Sequence, residues 1–346
     1  MSIVRQLKRA KSITRTVNLL FELATNAPDK KYAKKVVDAG CIKVLQNMLT
    51  GDHNLVPGAV TCILQLGNTL PLEVFELIEG DLLVESVHQV HLLDNDVRDP
   101  VLQLFVVFAF KVVGFEGVVD RLDVYIPLVC RALELRLQVT KCLVFLMGVF
   151  DHHPSTILDN LSAKAMVDYV MCDDIEVQCN ALIMIRLTSM ACRPFGKDLF
   201  DEGLAAAIEH AQETEGLLPF TNKLLAGLMF GTHRAHATPL VKSAVKKPID
   251  VETEKYLMCA VYYALKHDKT LIPSIVNKQL LSRFISTPSA DTMRALDIVL
   301  SYADSAYEGT WNPYVVWLKE MKAVPILRDL EDIDPLVDRI MTKWFT

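Results

Sequence analysis

A segment built from a small or acidic residue, a glycine and then an apolar helix returns along this chain at nearly fixed spacing. Tandem recurrence of this kind constrains a fold more than any local motif does. DAGCIKVLQNML begins at Asp38, IEGDLLVESVHQV at Ile78 and FDEGLAAAIEHA at Phe200. Gly40 to Gly80 is 40 residues, and Gly80 to Gly203 is 123, three steps of 41. The two intermediate beats fall in place without the glycine, as VDRLDVYIPLVCRAL from Val119 and LDNLSAKAMVDYVM from Leu158. Between these anchors a polar break followed by a strongly apolar helix recurs: PGAVTCILQL from Pro57, DPVLQLFVVFAF from Asp99, LQVTKCLVFLM from Leu137 and EVQCNALIMIRL from Glu176. Asp99 and Pro100 read as a helix start, because Asp accepts from free N–H groups and proline is tolerated in the first turn. Apolar residues recur at three- and four-residue spacing nearly throughout, and alternating runs are scarce. The prediction is an all-α chain in which each unit covers its apolar face by stacking on the next.

LLFELATN at Leu19 to Asn26, followed by VVDAGCIKVLQNMLT at Val36 to Thr50, resembles the armadillo repeat. The first piece is similar to the end of that family's second helix, the second to its Gly turn and long third helix. The resemblance is clearest over residues 12–213, continues as irregular repeats over 214–300 and ends in an aromatic cap at 301–346. It implies one right-handed α-solenoid over residues 1–346 with a period of ~41. The armadillo and HEAT folds serve many unrelated functions, so it implies a surface and no particular activity. In that family the third helices line a concave face, which here would make Lys43, Gln46, Asn47, Glu85, His88, Gln89, Arg131, Glu134, Asp168, Glu209 and Gln212 partner-facing. Import adaptors of the family grip basic peptides with repeated Trp and Asn on those helices. The helices at Ile42 to Leu49, Leu82 to Leu93 and Val124 to Leu135 contain no Trp, which argues against that role.

With 51% hydrophobic and 23% charged residues the chain can bury a large core and is not a disordered polymer. Its longest apolar run, Val101 to Phe110, is far shorter than the ~18 to 20 residues of a membrane-spanning helix and reads as a buried helix. Met1 to Phe21 lacks Asp and Glu and carries Arg5, Lys8, Arg9, Lys11 and Arg15, the composition of a mitochondrial transit peptide. An amphipathic first helix is the preferred reading of that segment. Cys41, Cys62, Cys130, Cys142, Cys172, Cys179, Cys192 and Cys259 lie mostly inside apolar helical patterns and form no CxxC pair, which suits reduced thiols in the cytoplasm.

Charge is uneven. Residues 1–35 add Lys30, Lys31, Lys34 and Lys35 to the five cations above, against Glu22 and Asp29, while the whole chain carries −6. The basic end could meet an acidic protein tail, anionic lipid or nucleic acid, or its lysines could simply be solvated. Net charge, and the want of aromatics interleaved with basic residues along the sequence, disfavour general nucleic-acid binding. Asp329, Glu331, Asp332, Asp334 and Asp338 concentrate negative charge near the other end.

The stretch from His233 to Lys255, with two prolines and Lys242, Lys246 and Lys247, reads as a loop or irregular repeat, or as a partner-binding insertion. All three tryptophans, Trp311, Trp317 and Trp344, fall in the last 36 residues near Tyr302, Tyr307 and Tyr314. They read as a terminal cap or as an aromatic docking patch of Trp311, Tyr314, Trp317 and Trp344. Glu85, His88 and His91 share part of a helix face, and His152 with His153 or His233 with His236 could each ligate a metal, but no further ligand completes a set. No phosphate loop, dinucleotide turn or nucleophile elbow is present, and no cofactor is implied. The reading is a non-enzymatic scaffold or adaptor in a larger assembly, cytoskeletal or ciliary. A folding or assembly chaperone and an unrecognised enzyme are the alternatives.

Overall fold

The computed structural model describes residues 3–90, 93–112, 121–247, 253–307, 311–330 and 335–345. Among them all regular structure is helical. The chain divides into two compact units, Met1–Ser162 and Ala163–Thr346.

The first unit contains α1 (Ile3–Arg9), α2 (Ile13–Asn26), α3 (Lys30–Asp38), α4 (Cys41–Leu49), α5 (Val56–Thr69), α6 (Pro71–Phe75), α7 (Gly80–Val90), α8 (Asn95–Val112), α9 (Leu122–Glu134), α10 (Val139–Val149) and α11 (Pro154–Asn160). The amphipathic N-terminal segment is thus two helices. Ser12 separates them and caps α2 by accepting from the Arg15 amide at 3.3 Å. Asp29 does the same for α3, accepting from the Tyr32 amide at 2.7 Å.

The second unit contains α12 (Ala163–Val170), α13 (Ile175–Ala191), α14 (Arg193–Asp201), α15 (Leu204–Ala211), α16 (Leu218–Phe230), α17 (Arg234–Ala244), α18 (Glu254–His267), α19 (Ile272–Ile275), α20 (Lys278–Ser286), α21 (Ala290–Ala306), α22 (Pro313–Glu320), α23 (Ala323–Arg328) and α24 (Pro335–Trp344). Asp174, Asn277 and Asn312 cap α13, α20 and α22. Ser289 and Thr292 form a reciprocal capping box on α21.

In each unit the long helices form a row. α2 packs on α5, α5 on α8 and α8 on α10; separately, α13 packs on α16, α16 on α18 and α18 on α21. Short helices form a second layer, α4 against α7 and α12 against α15. The core runs between the layers as a continuous sheet of side chains such as Leu23, Leu45, Ile63, Leu66 and Leu83, each at most 2% exposed. Burying one such side chain contributes roughly 1.5–3 kcal/mol, so an internal repeat is stable only between neighbours.

Two glycines of the recurring turn do what the sequence predicts. Gly40 (φ 79°) and Gly203 (φ 99°) occupy the left-handed region at the starts of α4 and α15. Gly80 differs. It lies at the start of α7, and a Cβ there would come within 2.6 Å of the Tyr125 hydroxyl and 3.3 Å of Phe108, so close approach rather than backbone conformation demands the glycine.

Several local expectations are corrected. The helix after the glycine is short, nine residues in α4 and eight in α15, whereas the intervening helices run to 14 in α5, 18 in α8 and 17 in α13. The long, row-forming helix is therefore not the one that follows the Gly turn. Asp99 and Pro100 do not start a helix: α8 begins at Asn95 and carries Pro100 inside it. The amides of Val97 and Arg98 already bond to the Asp94 carbonyl, and Arg98 is anchored to Asn95 and Asp99, so the first turn forms upstream of the proline. The segment from Leu158 breaks at Leu161, whose backbone is extended, into α11 and α12. Of the two readings offered for the stretch from His233, a loop or an irregular repeat, the chain forms a helix, α17, over Arg234–Ala244 with Pro239 inside it. Apolar Ala237, Leu240, Val241 and Ala244 pack inward and outweigh the missing amide of Pro239.

Candidate interaction surfaces

The residues expected to face a partner separate by burial. Lys43, Asn47, Glu85, His88, Gln89, Arg131, Glu134, Asp168 and Glu209 are exposed on α4, α7, α9, α12 and α15. Gln46 and Gln212 are each only 2% exposed and cannot face a partner. With its amide oriented to satisfy both ends, Gln46 donates to the Leu77 carbonyl at 3.3 Å and accepts from the Glu79 amide at 2.8 Å, pinning α4 to the turn before α7. Gln212 is enclosed at the end of α15 with neither amide atom hydrogen-bonded among the described residues. A one-residue offset on a helix turns a side chain by about 100°, which explains why a polar type alone misplaced these two. Of the exposed set, Gln89 donates to Glu85 at 3.1 Å, Arg131 to Glu134 at 2.8 Å, and Lys43 lies 4.0 Å from Glu79.

Arg5, Lys8, Arg9, Lys11, Arg15, Lys30, Lys31, Lys34 and Lys35 are all exposed, on α1, α2 and α3 and the turn between α1 and α2. None takes part in an ion pair among the described residues. On the opposite flank of α2 from Arg15, the apolar Ile13, Val17 and Phe21 reach solvent, Phe21 being 75% exposed. Val17, Leu20, Phe21 and Ala24 line a pocket of about 230 Å³ completed by Asn54, Gly58 and Thr61.

The C-terminal aromatics do not form one patch. Trp311 is 55% exposed and meets Tyr307 edge-on at 5.6 Å. Tyr314 is 5% exposed and packs edge-on against half-buried Trp317 at 5.5 Å. Trp344 donates from Nε1 to Asp304 at 2.8 Å, and Asn312 donates to the same residue at 3.0 Å. Burial alone would raise the Asp304 carboxyl, but hydrogen bonds from Asn312, Trp344 and Lys343 outweigh it and hold the group below the usual carboxylate range. Trp344 thus closes the last helix onto α21, and Trp311 is the most exposed of the three tryptophans.

His233 serves as a packing group. His233 is 4% exposed, with Phe200 between it and His236 at ring distances of 5.8 and 4.8 Å. His152 and His153 lie in the turn before α11. Among the described residues no three of His, Cys, Asp and Glu gather as metal ligands would. His91, Glu331, Asp332 and Asp334 lie outside the described residues. No helix among those residues is long and apolar enough to cross a membrane.

Tertiary packing also builds a cleft that the linear sequence does not reveal. Tyr262 and Lys266 of α18, Arg294, Asp297 and Ile298 of α21, and Leu336 and Arg339 of α24 line a space of about 430 Å³.

No family model matches the chain, and no curated protein matches it. Among solved structures, the crystal structure of an engineered protein from a structural genomics consortium superposes with a TM-score of 0.56. That match covers 98% of this chain and 97% of the other at 16% identity, and so concerns the fold alone. Among the described residues the fold is an all-α array of packed helices. A designed armadillo repeat protein is also matched, over 76% of this chain and 98% of the other at 14% identity, but its TM-score of 0.29 carries no argument. Consecutive long helices pack side by side within each unit, which puts Phe21 with Gly58 on α2 and α5 in the first unit, and Tyr262 with Arg294 on α18 and α21 in the second.

Proposed function

We propose that this chain is a non-enzymatic protein-binding scaffold or adaptor, held in the cytoplasm within a larger assembly, cytoskeletal or ciliary in context. The observation that carries the reading is the stripe of Ile13, Val17 and Phe21, which presents large apolar side chains to water beside a preformed pocket. Leaving a phenylalanine three-quarters exposed forgoes burial free energy, and a partner that covers it recovers that energy on binding. The nine exposed cations of α1, α2, α3 and the connecting turn would draw an acidic partner towards the same end and would do so less as salt rises. Lys43, Asn47, Glu85, His88, Gln89, Arg131 and Glu134 in the first unit, and separately Asp168 and Glu209 in the second, would offer further polar contacts.

Cross-linking of the native complex followed by mass spectrometry tests the reading, because it yields partner and surface together. A stable partner cross-linked to Lys8, Lys11, Lys30 or Lys34, and lost on Phe21→Asp with the fold intact by circular dichroism, is the expected result. A chain that runs as a lone monomer from native extract and holds no partner would remove it, and client refolding yields that fall on depletion would move the reading to a chaperone.

A further inference from the structure

The cleft between α18, α21 and α24 concentrates positive charge on an aromatic floor. Tyr262, 8% exposed, lies under two cations from different helices: Lys266 Nζ is 5.6 Å and the Arg294 guanidinium 6.0 Å from its ring centroid. Lys266 also lies 5.8 Å from the ring of Tyr263 and has no carboxylate partner among the described ion pairs. Arg294 is held at 3.3 Å by Asp291 and remains half-exposed. Arg339 donates to Asp297 at 2.5 Å, which fixes its guanidinium at the rim while leaving other N–H groups free to donate. Ile298 and Leu336 supply an apolar wall.

Like charges gathered without enough counter-charge repel one another and favour an anion that relieves them. We infer that this cleft is a binding subsite for an acidic segment of a partner protein, one carboxylate side chain bridging Lys266 and Arg294 while an adjacent apolar side chain lies against Ile298 and Leu336. The inference rests on the scaffold reading and adds a partner chemistry and a second site to it. Two observations favour a peptide over a nucleic acid: Asp297 stands within the cleft and would repel a run of phosphates, and the whole chain is acidic at −6. A single carboxylate flanked by apolar groups matches one open pair of cations and one short apolar wall.

The test is fluorescence anisotropy of the full chain with a panel of labelled short peptides in which Glu or Asp alternates with Leu or Phe, read at low and physiological ionic strength. At least one acidic peptide should bind saturably, and its Lys-for-Glu counterpart should not. The double variant Lys266→Gln, Arg294→Gln should weaken that binding by about tenfold or more, the scale expected for losing charge-assisted contacts. Lys164→Gln, exposed on α12 outside the cleft, should leave binding unchanged. Circular dichroism on each variant separates lost binding from lost folding, and Lys266→Gln alone serves if the double variant fails to fold. The inference is overturned if no acidic peptide saturates, if the cleft substitutions have no more effect than Lys164→Gln, or if oligothymidylate binds in place of the peptides. Cross-links from the native partner that fall clear of α18, α21 and α24 would overturn it while leaving the scaffold reading standing.

Discussion

Arg283 meets Glu254 through two hydrogen bonds, Nε to Oε1 at 2.5 Å and Nη2 to Oε2 at 2.7 Å, with both side chains no more than 2% exposed. A third bond runs from Nη1 to the Val245 carbonyl at 2.7 Å, so one guanidinium ties α20 to the start of α18 and to the residue that ends α17. Breaking such a pair leaves an uncompensated buried charge, which typically costs ~3–5 kcal/mol. Glu254→Gln or Arg283→Met should therefore lower the urea midpoint of this unit strongly. The double change Glu254→Leu, Arg283→Met should recover most of the loss, and equal losses in single and double variants would contradict the paired geometry.

Gly80 and Tyr125 give a steric prediction. Gly80→Ala places a Cβ against the Tyr125 hydroxyl, and overpacking of this sort costs roughly 1–3 kcal/mol. Tyr125→Phe removes the atom it meets and should restore part of that stability. Gly40→Ala should cost ~1 kcal/mol from its positive φ alone and should show no response to Tyr125→Phe. A double-mutant cycle by chemical denaturation checks both statements.

His233 predicts a pH dependence. Burial, then the neighbouring charges of His236 and Arg193, lower its pKa from 6.5. The unfolded chain therefore takes up the proton first as pH falls. The contribution is fully present above the unfolded value of 6.5 and is lost as pH drops below it towards the lower folded value. The denaturation midpoint should fall as pH drops below 6.5, and His233→Leu should flatten that part of the profile. A profile unchanged by the substitution would assign the pH effect elsewhere.

The thiols divide by burial. Desolvation pushes Cys41, Cys62, Cys130 and Cys142 up to about 12, so they remain protonated and unreactive at mildly alkaline pH. Iodoacetamide should modify half-buried Cys172 and Cys192 in the native protein and reach those four only after denaturant is added. Labelling of Cys41 as fast as Cys172 under native conditions would show that the repeat core is open.

Particular residues show where sequence reading succeeded and failed. Gly40 and Gly203 were legible because a glycine at a fixed phase before an apolar helix reports a backbone need, and both adopt positive φ. Pro100 misled because a proline signals a helix boundary locally, while here the flanking apolar residues gain enough burial to carry a helix through it. Gln46 and Gln212 misled because polar type does not report helix phase. For the aromatic C-terminal segment the sequence left a terminal cap and a docking patch open, and only the bond to Asp304 tells Trp344 apart from Trp311, which remains exposed.

The sequence by itself determined that this protein is an all-helical array of tandem repeats, because the period of glycines and apolar faces is a local property repeated along the chain. Tertiary structure decided which polar side chains reach solvent and which cations meet. Lys266, Arg294 and Arg339 are distant in sequence and share a cleft only because α18, α21 and α24 pack together, and Coulomb interactions depend on that separation in space.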